Sequence, residues 1–412
     1  MRAVLVDHAR LPQQGPRLME LLAAALDGSG PALLPLDAGL PGDRLRDLLA
    51  AFGPDQVEDP DGVTTARSAR MGGHPDTAVI VGTSGSTGGP KGVELSAGAL
   101  LHSARASLAR IGARPGERWL CCLPVTHIAG IQVLIRSLVS ATEPVFGADP
   151  AAAVGCAHVS LVPTQLARLA SGALAGFKSV LLGGAAAPPG LVQRARDAGV
   201  PVVTTYGMTE TCGGCVYDGV PLDGVRVAVR DDEADSGPGR IWISGPVLFS
   251  AYFGEQRFGE ARADGWFRTG DLGSTEGDGK LTVRGRADDV INTGGHKVVP
   301  GEVAAVLQSC PGVKDAVVVG QSDSEWGERV VAVVVPADPA DPPTLKMLRM
   351  RVQERLPRYA APSRVVLVEA VPMLPSGKPD LVRLRQDLAG LRELRASNTT
   401  GREQTEPASV TK

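Results

Sequence analysis

Aromatic residues make up only 4% of this 412-residue chain, and cysteines number six. Six cysteines in a chain this long exclude a disulfide-stapled secreted scaffold. No apolar run approaches the length that spans a bilayer, which argues against stable membrane insertion. Charge is equally unhelpful to a polyanion-binding reading: the formal net charge is −3, so neither nucleic acid nor an anionic membrane surface is an expected partner. At the N-terminus, Asp7 and Arg10 interrupt the apolar stretch, unlike a secretory signal, and the expected location is the cytoplasm. Cys212 and Cys215 form a C-x-x-C, but no second pair follows at zinc-ribbon spacing. Gly213 and Gly214 between them suit a loop, so plain loop thiols are the expectation.

What is present is an α/β texture. Hydrophobic residues reach 43% and charged ones 21%, as in an ordinary globular protein large enough for one large and one small domain. Short apolar stretches (Ala3 to Val6, Pro31 to Leu36, Ala78 to Val81, His158 to Val162, Val180 to Leu182, Val200 to Thr204) alternate with helical patterns, among them Ala97 to Ile111 behind the N-cap Ser96. From Val225 to Phe249 short alternating strands predict a β-rich subdomain. Beyond Gly285-Arg286-Ala287-Asp288 the pattern predicts a complete small α+β unit. The expected organisation is therefore a large N-terminal domain of mixed α/β sheets plus a β-rich subdomain over 1–286. A small α+β domain follows over 287–396, and a polar tail over 397–412 has too little apolar surface to order itself. Oligomeric state is left open, a homodimer included.

The strongest local signal is TSGSTGGPKGV, Thr83 to Val93, after the apolar strand Thr77 to Val81. Gly85, Gly88 and Gly89 free backbone N–H groups to face an anion, and Thr83, Ser84, Ser86 and Thr87 add hydroxyl donors. Lys91 adds a fixed charge, so the segment is built to wrap a polyphosphate. It is not a Walker A loop, because Pro90 stands before the lysine and Gly92 after it.

This loop resembles the phosphate loop of the adenylate-forming superfamily, and four further segments follow in that superfamily's order. Tyr206-Gly207-Met208-Thr209-Glu210-Thr211 resembles the segment that stacks a tyrosine on adenine, sets a threonine by the α-phosphate and offers a glutamate to Mg²⁺. The residue chemistry agrees, since a flat ring suits a purine and a carboxylate beside phosphates suits a hard cation. Upstream, Gly183-Gly184 resembles the turn beside the adenine and acyl pocket. Asp271 in Arg268-Thr269-Gly270-Asp271 would accept from the ribose hydroxyls. Arg286 would contact the nucleotide, Asp288 would be the inter-domain hinge, and Gly295 of the following hairpin would line the pantetheine route. Ala304 stands where a second acid is common in the family. Pro375-Ser376-Gly377-Lys378 resembles the mobile C-terminal loop whose lysine stabilises charge at the reacting phosphorus. The resemblance implies ATP, Mg²⁺ and coenzyme A as reactants, acid activation as an acyl-adenylate, and Lys378, Lys91 and Thr209 as catalytic groups.

For the acid itself, Pro124 to Gly130 resembles the segment whose histidine, His127, borders the acyl pocket, with Thr164 on the same wall. Nine residues after His127, Arg136 interrupts an apolar helix, where a charge is costly without a partner. Either it snorkels to the surface or it meets a second carboxylate on the substrate. A basic residue at this spacing resembles the o-succinylbenzoate:CoA ligases of menaquinone synthesis, whose substrate carries two carboxylates. Other aryl- or fatty-acid:CoA ligases, and adenylation enzymes that load a carrier protein, remain the alternatives.

Overall fold

The computed structural model describes residues 1–66, 73–84, 90–147, 149–150, 153–169, 171–188, 190–230, 238–255, 264–373, 379–395 and 404–405. Contacts divide the chain into two compact units. One holds Met1–Gly184, Ala195–Val227 and Trp242–Phe267; the other holds Ala185–Arg194, Ala228–Ile241 and Arg268–Lys412.

Two seven-stranded sheets organise the first unit. In one, Arg2–Val6 pairs in parallel with Leu33–Asp37 and with Gln56–Glu58, and Leu33–Asp37 pairs in parallel with Thr77–Ser84. Thr77–Ser84 then folds back antiparallel on Pro90–Ser96, which also takes Ala251–Tyr252 as a neighbour. The other sheet runs in parallel from Val145–Phe146 through Arg118–Cys121, Cys156–Leu161 and Ser179–Leu182 to Val202–Met208. It ends in the antiparallel strands Gly213–Tyr217 and Val220–Pro221. Parallel strands covered on both faces read as continuous apolar runs, and Leu33, Leu34, Ile80, Leu120, Val159 and Val180 are accordingly buried.

Helices cover these sheets. Ala97–Arg110 starts where Ser96 Oγ accepts the N–H of Ala99 at 3.2 Å, the cap expected from the sequence. Ile128–Val139 is apolar on nearly every side and buried, which is why a charge at Arg136 stands out. Strand Val202–Met208 runs four residues beyond the expected Thr204, so Tyr206 and Gly207 lie on the strand itself. Gly207 permits this: a Cβ there would lie 2.0 Å from the Gly213 carbonyl oxygen on the pairing strand.

In the second unit, Phe267–Thr275 and Leu281–Arg286 form an antiparallel hairpin whose register places Asp271 opposite Arg286. Farther along, Val313–Asp323 and Gly327–Pro336 form a long antiparallel pair, with Arg364–Leu367 parallel to the latter. Helices Pro300–Gln308 and Leu345–Gln353 pack on one face through Val303, Leu307, Leu348 and Val352. Leu384 and Leu388 of helix Leu381–Arg395 pack on the other face, against Val319, Val331 and Val333. Of the tail over 397–412 only Gln404–Thr405 is described, as a two-residue strand beside Arg364 and Val365.

Candidate active site

Within the first unit the expected residues collect at the carboxyl ends of parallel strands, where α/β sheets present ligand sites. Val162 and Thr164 follow Cys156–Leu161, Gly184 follows Ser179–Leu182, and Cys122 to His127 follow Arg118–Cys121. The Gln165 amide ties two of these ends together, accepting from Val162 N at 3.0 Å and donating to the Cys122 carbonyl at 3.4 Å. His127 is exposed at the start of helix Ile128–Val139, its N–H bonded to the Pro124 carbonyl.

Thr83 and Lys91 face each other across the hairpin that carries the glycine-rich loop, and Thr83 Oγ1 donates to the Lys91 carbonyl at 3.1 Å. Gly85, Ser86, Thr87 and Gly88 lie outside the described residues, as does the side chain of Ser84. The Lys91 Nζ sits 3.3 Å from the centroid of the Tyr252 ring. The Tyr252 hydroxyl donates to Glu210 Oε1 at 3.0 Å. Glu210 belongs to the short turn Thr209–Thr211, which the buried Thr211 hydroxyl locks by accepting from Met208 N at 2.9 Å and donating to the Gly213 carbonyl at 2.7 Å. Lys91 and Glu210 are thus gathered on one aromatic side chain that sequence reasoning passed over. The signal available was Tyr252 in a short aromatic run with Phe249 and Phe253. Glu210 offers a hard oxygen of the kind that suits a Mg²⁺ whose other ligands are phosphate and water.

Arg136 does not snorkel. It is 5% exposed; Nη1 donates to Ser107 Oγ at 3.3 Å and Nη2 to Ser160 Oγ at 3.1 Å, while the guanidinium stacks 4.2 Å from the Trp119 ring centroid. Among the described residues its Nε has no acceptor, and the groups acting on its charge are Tyr217 and Cys121, not a carboxylate. Burial pulls its pKa down from the usual value, opposed by the Tyr217 phenol, itself bonded to Ser107 at 2.7 Å. Beside this group, the His158 ring lies 4.9 Å from that of Trp119, tilted by 34°, and bonds Ser179 and Glu117. Lys178 bonds the other Glu117 oxygen at 2.5 Å and, with the Arg114 N–H, holds that carboxyl down at about 2.

In the second unit, Asp271 is buried and Arg286 Nη1 approaches it at 3.4 Å, while Arg286 Nη2 reaches Asp288 at 3.4 Å. Burial would lower the guanidinium, but Asp271, Asp288 and Asp289 outweigh it and the pKa is raised. Gly270 makes room: a Cβ there would meet Arg286 Nη2 at 2.7 Å. Gly294 and Gly295 hold φ of 56° and 81° in the hairpin of Ile291–Thr293 with His296–Val298, and Gly294 lies against the ring of Trp326. Lys378 lies outside the described residues; the bridge between Met373 and Pro379 brackets its loop. Cys212 and Cys215 are fully buried and burial raises both thiols, that of Cys215 to about 12, so they are inert.

Sequence profiles make the lineage explicit: the AMP-binding enzyme profile matches residues 54–253, and the AMP-binding enzyme C-terminal domain matches residues 302–378. The chain belongs to the AMP-binding enzyme family. A probable 2-succinylbenzoate--CoA ligase of Mycobacterium tuberculosis is 41% identical over 394 residues, covering 90% of this chain and 95% of that protein. Among solved structures, o-succinylbenzoate coenzyme A synthetase (MenE) of Bacillus subtilis, in complex with ATP and magnesium ion, superposes with a TM-score of 0.74 at 27% identity. That match covers 94% of this chain and 88% of the other. ATP-bound MatB from Rhodopseudomonas palustris shares the fold at a TM-score of 0.80 and 24% identity, covering 95% and 89%. The mixed α/β architecture is that of the adenylate-forming enzymes, and the enzyme class shared by these curated relatives is acid:CoA ligase.

Proposed function

We propose that this family member ligates o-succinylbenzoate to coenzyme A at the expense of ATP, the reaction named for its relatives and a step of menaquinone biosynthesis. The observation that carries the choice of acid is Arg136, a buried cation with an unsatisfied Nε and hydroxyls instead of a carboxylate around it. A charge in such a place is stabilised when an anion enters. A substrate with one carboxylate to activate and a second on its aromatic ring supplies that anion.

In the first half-reaction an oxygen of the succinyl carboxylate attacks the α-phosphorus of ATP and pyrophosphate leaves. Lys91 and the glycine-rich loop hold the departing phosphates, Tyr206 carries adenine and Asp271 the ribose diol. Lys378 offsets charge at the reacting centre with Thr209 beside it. Glu210 would hold Mg²⁺, which supplies charge neutralisation on the phosphates. In the second half-reaction the coenzyme A thiolate attacks the acyl carbon and AMP leaves. A rotation at Asp288 would exchange Lys378 for the Gly295 hairpin between the two steps. His127, Arg136, Thr164 and Gly184 form the acid's surroundings. A cytoplasmic location, where ATP and coenzyme A are supplied, fits this reading. No described helix is long and apolar enough to cross a membrane.

The test is thioester formation from o-succinylbenzoate, benzoate and a medium-chain fatty acid with ATP, Mg²⁺ and coenzyme A. Thioester from the dicarboxylate alone is expected. Equal turnover of the monoacids would overturn the substrate, and pyrophosphate exchange without any thioester would move the acceptor to a carrier protein.

A further inference from the structure

The Lys91–Tyr252–Glu210 arrangement poses a physical problem. A lysine that must meet phosphate and a glutamate that must meet a cation are opposite charges close enough to neutralise one another when no nucleotide is present. Direct pairing would oblige ATP to break an ion pair before it could bind. The structure avoids this with one side chain: Lys91 rests on the face of the Tyr252 ring, and Glu210 accepts from the hydroxyl at the ring's far end.

The backbone holds that ring in place from both sides. Phe249 N–H donates to the Glu210 carbonyl at 2.9 Å, so the segment is fastened to the glutamate turn. Farther along the same segment, the Ser250 and Phe253 N–H groups donate to the Glu94 and Gly92 carbonyls at 2.8 Å each, fastening it to the strand that carries Lys91. Tyr252 itself pairs with Val93 in that strand, and its ring is braced by Phe249 at 4.8 Å. Tyr252 is half-buried, so water competes only in part for the ammonium and the carboxylate.

We propose that Tyr252 is a positioning residue that keeps Lys91 and Glu210 apart and separately oriented until ATP with its Mg²⁺ arrives, an inference that rests on the nucleotide-binding reading of this site. The ring face is a weak, releasable seat for the ammonium, since a cation–π contact is worth less than a buried ion pair. The phenol proton likewise neutralises Glu210 less than an ammonium would. Both groups therefore stay available at little cost.

The experiment is calorimetric titration of ATP, with Mg²⁺ and in EDTA, into wild type, Tyr252→Phe, Tyr252→Leu and the double variant Tyr252→Leu with Glu210→Gln. Each protein is checked for an unchanged melting temperature. Tyr252→Phe keeps the seat and loses the donor; its ATP affinity in EDTA stays near that of wild type while half-saturation by Mg²⁺ shifts by a few-fold. Tyr252→Leu lets Lys91 and Glu210 pair, and binding in EDTA weakens about fivefold, the measure of a modest charge pair that ATP must break. Adding Glu210→Gln frees Lys91 and restores most of that affinity in EDTA. A merely structural tyrosine predicts no such rescue. Unchanged binding in Tyr252→Leu, or a double variant no tighter than the single one, overturns the inference. Should Tyr252→Leu fail to fold, an unmoved Mg²⁺ half-saturation in Tyr252→Phe overturns it instead. A wild type that bound no ATP would sink the nucleotide reading itself, an outcome distinct from normal wild-type binding with unperturbed variants.

Discussion

Two arginines, one in each unit, show how the same side chain is handled when its charge is left open and when it is compensated. Arg136, on a buried helix of the first unit, has hydroxyls and an indole face around it and an Nε without an acceptor. Arg286, at the end of the hairpin in the second unit, is about half exposed and lies between Asp271 and Asp288, with Asp289 adding to the field. The first is a desolvated charge with no counter-charge among the described residues. The second already lies between two carboxylates, and we propose that it contacts the nucleotide while holding the Asp271 carboxylate. A buried charge without a counter-charge is a candidate ligand site, whereas a half-exposed one between carboxylates is already compensated.

The comparison breaks first at Arg136. Arg136→Met removes an uncompensated charge from the core, so the variant is expected to melt at or above the wild-type temperature. It should nevertheless lose about 100-fold or more in kcat/KM for o-succinylbenzoate, the scale of deleting one partner of a buried charge pair. Calorimetry beside steady-state kinetics checks both, and a variant that melts far lower while keeping its activity contradicts the contrast. Arg286→Ala should act oppositely, lowering ATP affinity about tenfold with no gain in stability, since it strips Asp271 of a charge-assisted partner. Asp271→Asn, which keeps the shape but weakens the acceptor for a ribose diol, is expected to raise the KM for ATP by a similar or smaller factor without changing the KM for the acid.

The smallest effect concerns Lys178, the exposed partner of Glu117. Glu117 titrates near 2 in the fold, below the ordinary glutamate value, so its contribution to stability is complete above about pH 5 and lost as pH falls through about 2. Lys178→Met should therefore lower the melting temperature by about 1–2 °C at pH 7, and the gap should close as pH approaches 2–3. A gap independent of pH would place the effect in packing.

Much of the fold was legible because its strands are apolar runs and its helices carry ordinary caps, as at Ser96. Strand Val202–Met208 outran its expected end because Gly207 permits a backbone approach that composition does not announce. Helix Leu381–Arg395 was not anticipated; its apolar positions are few, and among the partners of Leu384 and Leu388 are Val319, Val331 and Val333, strand residues some 50 or more positions away. The motifs pointed to Lys91 and Glu210 as candidates in the first unit and to Asp271 in the second. No motif pointed to Tyr252, because its meaning lies in a contact between two segments more than 100 residues apart in sequence. That Arg136 is held by Ser107, Ser160 and Trp119 likewise needed three elements to be brought together.

The central claim, that Arg136 receives the substrate's second carboxylate, is tested most directly by a cycle of enzyme and substrate. Adenylation of o-succinylbenzoate and of 4-oxo-4-phenylbutanoate, which lacks the ring carboxylate, would be measured in wild type and in Arg136→Met. The account predicts that losing the carboxylate costs the wild type about 100-fold in kcat/KM and the variant less than about threefold, because the two deletions remove the same interaction. An equal cost in both proteins would mean that the carboxylate is read elsewhere and that Arg136 serves the core alone.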